Sequence, residues 1–255
     1  MEQITGVKNF CKHLAEESGN VIRKYFRTNI SIETKPDESP VTIADKKSEE
    51  LMRELIMKEF PDHGILGEEF GEHNSSAEYK WILDPIDGTK SFISGVPLFG
   101  TLIALLHNDQ PVVGVINHPL LDQYLIGDNS TAELNGEKIK VRECSRISSA
   151  LLLSSDHLNF RKYRSKEGFE KLTGIVKLYR MWGDCYGYSL LASGYADIMI
   201  DPIMSRWDLA ALIPVIRGAG GVITDYYGND PAKGDSIVAA VPSIHTEVIR
   251  ILNRM

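Results

Sequence analysis

Trp81-Ile82-Leu83-Asp84-Pro85-Ile86-Asp87-Gly88-Thr89 is apolar as far as Leu83 and then turns abruptly acidic and turn-forming. A buried strand that delivers carboxylates at its C-terminal end has this pattern. Upstream stands Gly67-Glu68-Glu69 and downstream Trp207-Asp208. Glu68, Asp84, Asp87 and Asp208 are thus available to share divalent cations, beside a Gly-Thr turn suited to one phosphate. Two hard oxygen anions three positions apart suit Mg2+ rather than zinc, which prefers His and Cys. Gly88 lets the backbone approach a ligand closely, and Thr89 can cap a following helix while offering a hydroxyl. The plainer alternative is a helix-capping Asp followed by a solvated one. Acids in the two outlying segments favour a metal.

Outward from this stretch, residues 4–27 carry Ile4, Val7, Cys11, Leu14, Ser18, Val21, Ile22 and Tyr25 three or four apart, the spacing of an amphipathic helix. A short strand at 30–34 and a polar loop at 35–40 lead to a second helix at 42–60, opened by Thr42 with Asp45 in the manner of a capping box and stopped by Pro61. Strands are expected at 64–67, 79–84, 98–107, 111–118 and 122–127, with a hairpin turn at Asn135-Gly136. Beyond Arg142 the rhythm alternates. Strands at 150–155, 176–180, 196–201, 221–225 and 236–241 interleave with helices at 166–173, 184–193, 206–218 and 242–253. Residues 1–142 therefore read as an α+β half with most of the acids. Residues 143–255 read as an α/β half carrying Asp208, the two packed as one unit with a site between them.

The 255 residues are 43% hydrophobic and 25% charged, ordinary values for a globular chain. A net charge of −7 argues against a nucleic-acid footprint, so cations must mediate any phosphate binding. The three cysteines lack a CxxC and fit free thiols in a reducing cytosol. No secretory signal or membrane-spanning run is visible, and the expected location is cytoplasmic. The seven histidines show no HxxxH or HxH pairing.

"GEE", "LDPIDGT" and "WDLAA", in that order, resemble the inositol monophosphatase superfamily of Mg2+-dependent, lithium-sensitive phosphomonoesterases. The stretches "GTKSFISGVPLFGTLIAL" at 88–105 and "WGDCYGYSLLASG" at 182–194 resemble its histidinol-phosphate phosphatase branch. The resemblance implies a layered α-β-α-β-α sandwich, usually a homodimer. It implies a first metal on Glu68, Asp84 and the Ile86 carbonyl, a second on Asp84, Asp87 and Asp208, and a weaker third at Glu68. Gly88 and Thr89 would seat phosphate. Thr89 would help orient and deprotonate the attacking water, with Asp45 accepting the Thr89 hydrogen bond. Lys35 resembles a loop lysine that approaches the metals in relatives.

Specificity has to come from the alcohol side of the ester. Inositol enzymes carry a small-residue run where this chain has Gly183-Asp184-Cys185-Tyr186, and Asp201 stands seven residues before Asp208. Two carboxylates, Asp184 and Asp201, facing the alcohol suit a cationic substrate such as histidinol phosphate. Helix capping by Asp184 is the simpler alternative. An inositol or sugar phosphatase, and an RNA-directed regulator on the same fold, are the competing functions. The intact acid set and the acidic net charge speak against the last.

Overall fold

The computed structural model describes residues 2–34 and 40–253. Helices α1 (Glu2–Tyr25) and α2 (Ile43–Glu59) are linked through strands β1 (Ile32–Thr34) and β2 (Pro40–Thr42). Thr42 caps α2: its hydroxyl accepts from Ala44 N, and the Asp45 carboxylate reaches back to Thr42 N at 2.9 Å.

The two helices lie on one face of an eight-stranded sheet. Its strands are β3 (Gly64–Gly67), β4 (Gly71–His73), β5 (Tyr79–Asp87), β6 (Gly100–His107), β7 (Gln110–His118), β8 (Gln123–Gly127), β9 (Ala132–Leu134) and β10 (Glu137–Lys138), ordered β10-β9-β8-β7-β6-β5-β3-β4. Only β3 and β5 run parallel. Strand β5 is central and buried on both faces. Trp81 and Leu83 join Cys11, Leu14, Met52 and Ile56 beneath the helices, while Ile82 points into the opposite core. That period of two explains its unbroken apolar run. A short helix α3 (Thr89–Ile93) follows β5.

The second half builds a five-stranded sheet, β12-β11-β13-β15-β14, from β11 (Leu151–Leu153), β12 (Leu178–Arg180), β13 (Ile198–Asp201), β14 (Val222–Thr224) and β15 (Ile237–Ala240). Helices α4 (Leu158–Tyr163), α5 (Lys166–Ile175) and α9 (Pro242–Asn253) flank it. Helices α6 (Asp184–Ala192), α7 (Arg206–Ala210) and α8 (Leu212–Gly218) meet the larger sheet. The layers are therefore α-β-α-β-α. One continuous core joins Leu102 and Ile116 of the first sheet to Leu152, Met199 and Val238 of the second.

The single helix expected at 206–218 is broken at Ala211. Pro214 has no N–H for the Ala210 carbonyl and crowds it, so the first segment ends there. Ala211 itself stays right-handed, and Gly114 of β7 closes on its carbonyl, where a Cβ would stand 2.0 Å away. Among the described residues no helix is long and apolar enough to cross a membrane.

Candidate metal and phosphate site

Residues three apart on a regular strand face opposite sides of a sheet, which would separate Asp84 from Asp87. Here the β5–β6 register shifts: Asp84 pairs with Leu102 and Asp87 with Gly100, three steps on one strand against two on the other. This bulge inserts one extra residue and turns both carboxylates the same way. A buried hydroxyl chain supports it. Ser48 meets Ser18 at 2.7 Å, Ser18 meets Thr101 at 3.0 Å, and Thr101 donates to the Pro85 carbonyl at 2.9 Å. Asp208 arrives from the other sheet's side, in the first turn of α7, with Ser205 N donating to it at 2.7 Å. One carboxylate oxygen from each of Asp84, Asp87 and Asp208 then falls within 4.8 Å of the others.

The electrostatics are those of a site assembled for a cation. Asp84 is pushed well above the usual carboxylate range, first by burial and then by Glu68, Asp87 and Asp208. Asp87 moves the same way through burial, Asp184 and Asp208. Asp208 is pushed up to about 7 by burial, with Glu68, Asp201 and Asp184 adding to it against the Ser205 N–H. Asp84 Oδ1 is buried without a hydrogen-bond partner among the described residues. An orphaned buried oxygen is costly unless something else satisfies it. With an all-oxygen donor set, the residues fit a hard cation such as Mg2+. Glu68, Asp84, Asp87 and Asp208 are the side chains that would hold it, with the Ile86 carbonyl nearby on the bulge.

Beside the acids, Gly88 takes φ +91°, a conformation open to glycine, and opens α3. The Thr89 hydroxyl donates to the Ile86 carbonyl at 3.0 Å. Asp184 presses on this turn: a Cβ at Gly88 would meet Asp184 Oδ2 at 3.0 Å. Asp184 is itself left-handed, with φ +50°, and its carboxyl is pushed up to about 6 by burial and Asp201, with Lys90 opposing. Its N–H donates to Ser155 Oγ at 2.7 Å, and Gly183 is required because a Cβ there would collide with Ser155. Aspartate tolerates this region better than most residues, and here it is held in it beside the acids.

Several expectations meet a different geometry. Asp45 is buried and binds Thr42 through N–H and hydroxyl, and Thr89 turns to Ile86, so no Asp45–Thr89 bond forms. Asp201 is buried rather than open to a substrate: Ser155 N and Tyr188 Oη donate to its two oxygens, at 3.0 and 2.9 Å. Cys185 lines the site through its backbone, its N–H donating to Asp87 Oδ2 at 2.5 Å while its thiol is buried. That bond ties a helix of the second half to the acid cluster of the first. Lys35 lies outside the described residues. Ser189 and His118 meet at 2.8 Å, yet both are buried, and Ser189 also bonds the Cys185 carbonyl, so the pair presents no open nucleophile. The sequence reading missed Ser155, Lys90 and Glu49. Only Glu49 had a signal, four residues after Asp45 on the same helix face.

The model of the inositol monophosphatase family matches residues 4–255. The bifunctional phosphatase IMPL2 of Arabidopsis thaliana is 47% identical over 84% of the chain, which spans 63% of that protein's length. The histidinol-phosphatase of Chlorobaculum parvum is 42% identical over 89% of both chains. Among solved structures, an inositol monophosphatase from Zymomonas mobilis superposes with a TM-score of 0.87 at 34% identity, covering 96% of this chain and 97% of its own. With a family model spanning nearly the whole sequence and the layered fold shared with a solved member, the chain belongs to the inositol monophosphatase family.

Proposed function

We propose that the protein is a Mg2+-dependent phosphomonoesterase that hydrolyses L-histidinol phosphate to L-histidinol and phosphate. Family membership supports the reaction class, phosphoric monoester hydrolysis. The observation that carries the substrate choice is Asp184, a half-buried carboxylate held in left-handed backbone against the Gly88–Thr89 turn. A negative charge beside a phosphate seat is unfavourable for a neutral alcohol and favourable for one bearing an ammonium or imidazolium. The histidinol-phosphatase relative agrees with that choice.

When bound, Mg2+ neutralises phosphate oxygens, lowers the pKa of the attacking water and stabilises the leaving oxygen. The chain's own residues do the rest. Gly88 and the first turn of α3 present backbone N–H groups that lack intrahelical acceptors and are suited to phosphate oxygens. Thr89, anchored on Ile86, aims its hydroxyl oxygen from the same turn. Cys185 N–H fixes Asp87, and Ser205 N–H fixes Asp208, so the carboxylates keep their directions before substrate arrives. Water attacks phosphorus directly. Its oxygen–phosphorus bond forms as the bond to the alcohol oxygen breaks, and the alcohol departs with a proton. Asp184 orients the cationic end of that alcohol.

The second reading, an inositol-phosphate phosphatase, is favoured by the structural likeness to the Zymomonas mobilis enzyme. A comparison of kcat/KM on histidinol phosphate, inositol-1-phosphate and a 3′,5′-bisphosphate nucleotide separates the two. Preference for histidinol phosphate by tenfold or more, roughly 1.4 kcal/mol, is expected. Equal or better turnover of inositol-1-phosphate would replace the first reading with the second.

A further inference from the structure

Glu49 lies on α2, fully buried, with no part in the acid cluster. Buried carboxylates persist only where their oxygens are well satisfied, and the groups that satisfy Glu49 come almost entirely from one turn. Oε2 accepts from Glu69 N at 2.7 Å, and Oε1 accepts from Phe70 N at 3.2 Å. Arg53 Nη1 donates to Oε1 at 3.1 Å and to the Gly71 carbonyl at 2.9 Å. At Gly67 the carboxylate packs so closely that a Cβ would stand 1.8 Å from Oε1. Glu49 thus grips residues 67 to 70 from inside the fold, and Arg53 extends the hold to Gly71. From the other side Glu68 N donates to the Leu83 carbonyl at 3.2 Å, one residue before Asp84.

We propose that Glu49 is a positioning residue for the Glu68 carboxylate: it locks the Gly67–Gly71 turn so that Glu68 meets Asp84 ready for a cation. The proposal rests on the metal-site reading above. Glu49 touches neither substrate nor metal. It sets the direction of a ligand that does, as partners behind metal ligands commonly do.

The test measures Mg2+ binding to the full chain by calorimetry without substrate, so that it is independent of which ester is hydrolysed. Glu49→Gln keeps the volume and one acceptor but sets an NH2 group against the second backbone N–H. Its Mg2+ dissociation constant rises about tenfold, the lower end for groups that orient ligands, while in EDTA it stays folded, with a melting temperature lowered only by the buried donor–donor pairing. At saturating Mg2+ its kcat recovers. Gly67→Ala displaces the same carboxylate from the opposite side and weakens Mg2+ in the same direction. Arg53→Met leaves both backbone bonds in place and weakens it by a smaller factor, deciding the matter if Glu49→Gln does not fold. Mg2+ affinity within twofold of wild type in folded Glu49→Gln, or unchanged in Arg53→Met where Glu49→Gln is unfolded, overturns the proposal. Asp84→Asn is the control. If it binds Mg2+ as wild type does, the metal-site reading itself fails instead.

Discussion

Asp84→Asn has opposite effects on the metal-free and metal-loaded protein. Asp84, Asp87 and Asp208 bring oxygens within 4.8 Å of one another. At an effective dielectric of 20, two ionised carboxylates at that separation repel by about 3 kcal/mol. Burial first, and then the neighbouring acids, hold protons on Asp84 and Asp87 and keep both well above the usual carboxylate range. At a pH high enough to ionise Asp84, removing its charge returns much of that energy. Because about 1 kcal/mol moves the melting temperature of a chain this size by roughly 2–4 °C, Asp84→Asn melts about 5 °C above wild type in EDTA. In Mg2+ the order reverses, since wild type gains binding free energy that the variant cannot. Activity falls on the order of 10³-fold or more, because charge stabilisation supplies several kcal/mol of barrier reduction. Differential scanning fluorimetry in EDTA and in Mg2+, together with phosphate release, reads all three. A variant that is destabilised in EDTA yet keeps the wild-type Mg2+ shift would refute the reasoning.

A pH effect follows from Asp208, held at about 7 against an ordinary value near 3.9. A raised acid favours the fold fully below its unfolded value and loses that contribution as pH rises through the folded one. The metal-free protein therefore loses about 2 kcal/mol from Asp208 alone between roughly pH 5.5 and 8. Mg2+ abolishes most of the loss, and a flat melting profile in EDTA counts against it. Lithium chloride in the millimolar range lowers the steady-state rate at saturating substrate by competing for the weaker cation position; an unchanged rate rejects that competition. Asp184→Ser lowers kcat/KM for histidinol phosphate by about 10- to 100-fold, the value of one charge-assisted hydrogen bond, with little effect on glycerol phosphate. Equal losses on both esters would mean that Asp184 only supports the fold.

What the sequence made legible was what repeats at a fixed period or sits inside a short motif. The α2 cap at Thr42 and Asp45, the buried run of β5 and the alternation after Arg142 all belong to that class. The acids of the cluster were visible because their chemistry is local to three motifs. Their convergence on one face was not. It depends on the bulge between Asp84 and Asp87, which exists only against β6 and has no single-strand signature. Asp201 misled for a related reason. A carboxylate beside a motif resembles a pocket residue until Ser155 and Tyr188, distant in sequence, are seen to claim both oxygens. Thr89 and Asp45 were paired on resemblance, while locally each had a nearer partner three residues away, Ile86 and Thr42. The broken helix at Ala211 was signalled by Pro214, whose effect on residue 210 outweighs the apolar pattern around it.

The hydrogen bond from Cys185 to Asp87 bridges 98 positions of the chain. With Asp208 it makes the centre a product of long-range closure, which folds late because loop entropy must be spent before those contacts form. During synthesis, a chain that has exposed only its first sheet holds Asp84 and Asp87 without the Cys185 N–H and the Asp208 carboxylate that later meet them. On the proposed reading a chain cut before residue 208 lacks one of the acids that would hold the cation, and a divalent cation that favours the closed centre also favours completion of the fold.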